Sequence, residues 1–115
     1  MRRVKRTAVI VKPKQPYITW ANSLEDGGVK LGEEYMPEHT IYLVEDATGY
    51  MLDTEEIVKP YFETIFEEEL NGWHRLVDNW PPNRDFKTFL AWFEVEIHSM
   101  VLDLRGGWVR TERFY

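Results

Sequence analysis

Glu94-Val-Glu-Ile-His-Ser-Met-Val-Leu-Asp-Leu104 carries two periods at once, and which one wins decides the fold. Phe93, Ile97, Met100, Val101 and Leu104 recur at helical spacing, which would extend the preceding helix almost to the end of the chain. Val95, Ile97, Ser99 and Val101 instead alternate as in a strand, and their β-branched side chains favour the pleated form. The segment is therefore expected to be a strand, stopped by Gly106-Gly107. Alternate side chains of a strand share a face, so Glu94, Glu96 and His98 stand together.

Working back along the chain, Asn83 is the expected cap of a helix that turns Phe86, Phe89, Leu90 and Phe93 inward. Residues 74–84 form a connector around Trp80-Pro81-Pro82. Val58, Tyr61, Phe62, Ile65, Phe66, Leu70 and Trp73 make one apolar helical stripe, led by Asp53 and Glu56 at capping-box spacing. Pro60 falls inside that stretch, so either the helix kinks there or a short turn precedes a main helix starting at Pro60. Residues 7–12 and 40–45 are two further apolar strands, the first stopped by Pro13. Between them lie a helix opened by Pro16, carrying Tyr17, Ile18, Trp20 and Ala21, and a polar loop over 25–39. The order is β-α-β-α-α-β: an α+β fold, a small three-stranded sheet with helices packed on one face. A helix in the first connection allows strands one and two to be parallel. The 115 residues suit a single domain over 1–115, with 1–6 a basic N-terminal arm and 106–115 a C-terminal tail.

The net charge of −6 conceals an asymmetry. Arg2, Arg3, Lys5, Arg6, Lys12 and Lys14 stand in the first fourteen residues with no acid, while 14 acids face only Lys30 and Lys59 between Glu25 and Glu69. A basic arm on an acidic body can fold back, meet a second copy or reach for a polyanion. The acidic body disfavours nucleic acid, because broad phosphate binding needs a continuous basic surface. The basic start is followed by only four apolar residues, Ala8 to Val11, well short of the ~7–15 of a signal segment and the ~20 of a membrane span. With no cysteine either, disulfides, thiol nucleophiles and Cys-bound zinc are excluded and the expected location is cytoplasmic, without membrane contact.

Three stretches, Val11-Lys-Pro-Lys-Gln-Pro-Tyr17, Glu68-Glu-Leu-Asn-Gly-Trp73 and Trp92-Phe-Glu-Val-Glu-Ile-His-Ser-Met-Val101, resemble a family of small uncharacterised bacterial proteins with no assigned function. The resemblance spans most of the chain. It implies a bacterial, cytoplasmic setting and carries over no catalytic residue.

Phosphate-binding loops are missing: Gly27 and Gly32 have Walker-like spacing, but Glu33-Glu34 stand where lysine and a hydroxyl should be. Ser99 follows His98 directly, and neighbours on a strand point to opposite faces, so they form no dyad. Carboxylate and histidine chemistry remains. With Phe62 at zero on a helical wheel, the apolar stripe runs from about −60° to +80° and Glu69 falls near −20°, inside it. Glu69 is thus either a paired carboxylate at the core's rim or a general base with a raised pKa. If the long helix covers the face that holds Glu96 and His98, the three converge; Glu96 and His98 are the candidate ligands of a divalent metal, Glu69 and His98 the candidate catalytic pair. Glu67, Glu68 and Glu69 also oppose the helix dipole, which suggests a basic neighbour such as the arm or Arg75. Of five tryptophans, Trp80 and Trp108 lie on loops and are candidate binding anchors, together with Arg2, Arg3, Lys5 and Arg6. Without a complete catalytic constellation, the expected function is a non-enzymatic interaction domain that engages a protein partner or a second copy as a homodimer. The alternative is a small metal-dependent enzyme centred on Glu69, Glu96 and His98.

Overall fold

The computed structural model describes residues 1–24, 30–32, 36, 38–49 and 52–115. Its centre is the apolar strand β2 (Arg6–Pro13), which follows a short β1 (Arg2–Arg3). Then come α1 (Gln15–Ser23), β3 (Thr40–Glu45), α2 (Thr54–Val58), α3 (Phe62–Trp73), a 3-10 turn at Val77–Asn79, α4 (Phe86–Trp92), β4 (Phe93–His98) and β5 (Leu102–Asp103). The main sheet has the order β3-β2-β4, and β1 pairs with β5 in a separate ribbon. This is the expected α+β class with a three-stranded sheet.

Both neighbours of β2 run antiparallel to it, which corrects the expectation of parallel first and second strands. Thr40 pairs with Val11 and Phe93 with Pro13, so β3 and β4 both begin beside the end of β2. Helix α1 starts as soon as β2 ends and does not carry the chain back along the sheet. A parallel return would have to regain the other end. The longer connection from β3 to β4, through α2, α3 and α4, does make that return and leaves β2 between two mutually parallel strands, a split β-α-β arrangement.

Strand β4 stops at His98, six residues short of the expected end; His98 pairs with Ala8, and the last two residues of β2, Thr7 and Arg6, pair only with β3. The chain then leaves the main sheet, and the Val4 amide donates to the Val101 carbonyl at 2.7 Å where β1 and β5 meet. Near Pro60 the stretch is divided, as in the second alternative, but the main helix starts at Phe62 and not at Pro60: α2, capped by the Asp53 carboxylate on the Glu56 amide at 2.8 Å, ends at Val58, and Pro60 sits in the turn before α3. Helix α4 is capped by Asp85, which accepts from the Thr88 amide at 2.8 Å; this replaces the expected Asn83 cap, because the first helical residue is Phe86.

Thr7, Val9, Val11, Val44 and Phe93 turn to the helices and are buried with Phe66, Leu70 and Phe89. Phe66, Phe89 and Phe93 touch mutually, with ring centroids 5.3–5.8 Å apart, and this aromatic cluster joins α3 and α4 to the sheet. Most of the polar loop expected over 25–39 lies outside the described residues. Within it, Leu31 is buried and held by Asn22, whose side-chain carbonyl accepts from the Leu31 amide at 2.8 Å.

Candidate functional site

Glu69 is on the last turns of α3, half-buried on the helix-covered side of the sheet, as its place in the apolar stripe required. The Tyr42 hydroxyl, from β3, donates to its carboxylate at 2.6 Å, and the Tyr17 hydroxyl, from α1, donates to its backbone carbonyl at 2.7 Å. Burial pushes the Glu69 carboxyl above its ordinary value of 4.5, against the hydrogen bonds from Tyr42 and Thr40, which favour the charged form. Burial also raises both tyrosines, and the nearby Glu69 charge adds to it. The cluster therefore ties three elements together through one carboxylate and two neutral phenols. Tyr42 is the member that sequence reading missed: it lies in a continuous apolar run, Ile41 to Val44, whose inward face alternation does not single out.

Glu96 and His98 are on the other face. Their strand neighbours Phe93, Val95 and Ile97 point to the helices, and the register sets Ile10 beside Glu96 and Ala8 beside His98 on the open side. The His98 ring contacts the Glu96 carboxylate at 3.2 Å and the Lys12 ammonium meets it at 3.4 Å. These two partners, His98 first, hold the Glu96 carboxyl below its ordinary range. Convergence of Glu69 with Glu96 and His98 required the long helix to cover this face; it covers the opposite one, and the sheet separates them. Among the described residues, no three His, Asp or Glu side chains are grouped to hold a metal ion.

The same open face is half apolar. Ile41, Ile10 and Glu96 form one cross-strand row, and Leu43, Ala8 and His98 form the next. Ile41 is 60% and Leu43 53% exposed. In an antiparallel sheet with one solvated face, alternation normally puts polar side chains there; β4 obeys this with Glu94, Glu96 and His98, whereas β2 and β3 do not.

At the sheet's far end, Arg3 is not a free cation. Its guanidinium forks onto Asp46 at 2.6 and 3.1 Å and also donates to Thr48 and the Ser99 carbonyl, which holds the Asp46 carboxyl well below the usual range. The arm's charge thus meets Asp46 rather than the acids of α3; there, Glu68 accepts from the Tyr115 hydroxyl. Arg2, Lys5 and Arg6 are exposed. Trp80 is partly buried, its indole donating to the His74 carbonyl at 2.7 Å under the Arg84 guanidinium, so it packs its own loop. Trp108 is 96% exposed.

The chain matches no protein-family model, no curated protein and no solved structure. No described helix is long and apolar enough to cross a membrane.

Proposed function

We propose that this is a non-enzymatic, cytoplasmic protein-interaction domain that binds a protein partner, or a second copy of itself, on the open face of its sheet. One observation carries the reading: β2 and β3 expose Ile10, Ile41 and Leu43 as a contiguous apolar patch beside the charged row of Glu94, Glu96 and His98. Two apolar faces on one strand pair are costly to leave in water, and a partner that covers the second removes that cost. The partner's chemistry follows from the patch: an apolar centre flanked by basic groups that answer the glutamates. Among the described residues no strand pairs with the outer edges of β3 and β4, which add a second means of attachment.

Ile41→Lys and Leu43→Lys change the patch without touching the core. Sedimentation over a concentration series, and crosslinking to proteins of the source cell, should show a complex with the parent chain that both variants lose. Identical mass and identical crosslinked species for parent and variants would sink this reading. A metal-dependent enzyme is tested separately, by titrating Zn²⁺, Mn²⁺ and Mg²⁺ against Glu69→Gln and His98→Ala; saturable binding abolished by either substitution would favour it.

A further inference from the structure

The pairing of β1 with β5 joins the two ends of the chain: Arg2 lies opposite Asp103 and Arg3 opposite Leu102. Basic residues some hundred positions apart in sequence are thereby brought to one end of the molecule. Arg2, Lys5 and Arg6 come from one strand of the chain, Arg105 and Arg110 from the other. Arg3 is bound to Asp46, but among the described residues none of these five has a carboxylate within salt-bridge distance. Immediately after β5, Gly106 and Gly107 both adopt left-handed backbone, with φ of 78° and 74°, a conformation that side-chain-bearing residues rarely take. The Asp103 carboxylate accepts from the Arg105 amide at 2.9 Å and steadies the bend. The bend wraps Arg105, Trp108, Val109 and Arg110, with Asp103 at its base, around a cleft of about 710 Å³, with the Trp108 ring open to solvent. The tail then returns to α3, where the Tyr115 hydroxyl donates to the Glu68 carboxylate.

We propose that this joint terminal surface binds single-stranded nucleic acid. An exposed indole offers a stacking platform to one base, and the arginines on either side supply the cations for the adjoining phosphates. The body sets the limit. Residues 15–103 hold 19 acids and five bases, so no continuous basic surface exists for a duplex, whereas a single strand needs only the narrow basic end. An anionic membrane fits less well, because a lipid plane laid on the tail would also meet the exposed Glu112.

Fluorescein-labelled oligo-dT and oligo-rU of about 15 nucleotides, titrated with the full chain between about 50 and 200 mM salt, test this by anisotropy and tryptophan emission. Binding is expected with quenched emission and a slope of log affinity on log salt no steeper than about −3.5, the value for five phosphates on a single strand. Trp108→Ala, at a site too exposed to disturb folding, should weaken binding by at least about fivefold, the low end of base stacking on an aromatic ring. Arg105→Ala and Arg110→Ala should each weaken it and flatten the salt slope, while Lys87→Ala on α4 should leave it unchanged. A preference for oligo-rU or oligo-dT assigns RNA or DNA. The proposal is overturned by absence of binding at the lowest salt, by binding indifferent to Trp108→Ala, or by binding only to phosphatidylserine-containing vesicles. A loss of mass on Trp108→Ala without nucleic acid present would instead make this a contact between copies.

Discussion

Glu69 shows how one residue's periodic position sets its chemistry. A carboxylate placed in an apolar stripe is desolvated, and the sheet answers with the Tyr42 hydroxyl at 2.6 Å. Because burial raises its pKa above the ordinary 4.5, the folded state holds the Glu69 proton more tightly than the unfolded chain. This favours folding fully below pH 4.5 and is lost as pH rises through the folded value. Glu69→Gln keeps an acceptor for Tyr42 without the charge, so its stability relative to the parent should grow as pH rises from 4 towards neutrality, measured by urea midpoints across that range. A constant difference would remove Glu69 as the titrating group. Tyr42→Phe leaves the half-buried carboxylate short of a donor and should cost about 1–3 kcal/mol at neutral pH, read from the same denaturation curves. The two substitutions share one interaction, so the double variant should cost less than their sum. Asp46 has the opposite sign: held low by Arg3 and Thr48, it contributes above its ordinary 3.8 and loses that contribution as pH falls.

Among elements, α3 and α4 owe their place to aromatic burial more than to their caps. Phe66 has no exposure and meets Phe89, Trp92 and Phe93. Phe66→Ala should therefore cost about 3–5 kcal/mol in urea unfolding, with a cavity left where the three rings met. The cap of α4 separates two readings of the same sequence. Asp85→Ala should cost about 1 kcal/mol and Asn83→Ala next to nothing, since only Asp85 accepts the Thr88 amide. A larger loss from Asn83→Ala would return the cap to the earlier position. Pattern alone misplaced it by two residues because Asn83 and Asp85 are both good caps, and the choice depends on where Phe86 must point.

For the whole molecule, the two ends meet in a ribbon of only two residue pairs, partly exposed on both strands. Arg3→Ala should speed amide exchange at Val4, which donates to Val101, while amides of Val9 and Val11 in the central strand stay protected. Equal protection in parent and variant would show that the β1–β5 ribbon stands without Asp46. Alternation, apolar periodicity and cap spacing made the α+β class, the three strands and the inward turn of Glu69 legible, because these are local consequences of where each side chain points along its own element. Strand direction, the early end of β4 and the separation of Glu69 from Glu96 and His98 were not legible. Each depends on which end of β2 the chain returns to and which face the helices cover, neither of which is encoded within one element. The apolar excess of β2 and β3 stood in the sequence as Ile10, Ile41 and Leu43, but only the β3-β2-β4 register turned them into one open patch. Likewise the sequence by itself determined a basic beginning and an arginine- and aromatic-rich end. Only tertiary pairing of β1 with β5 decided that they form one surface, since long-range contacts are set by the closing of the chain and not by local preference.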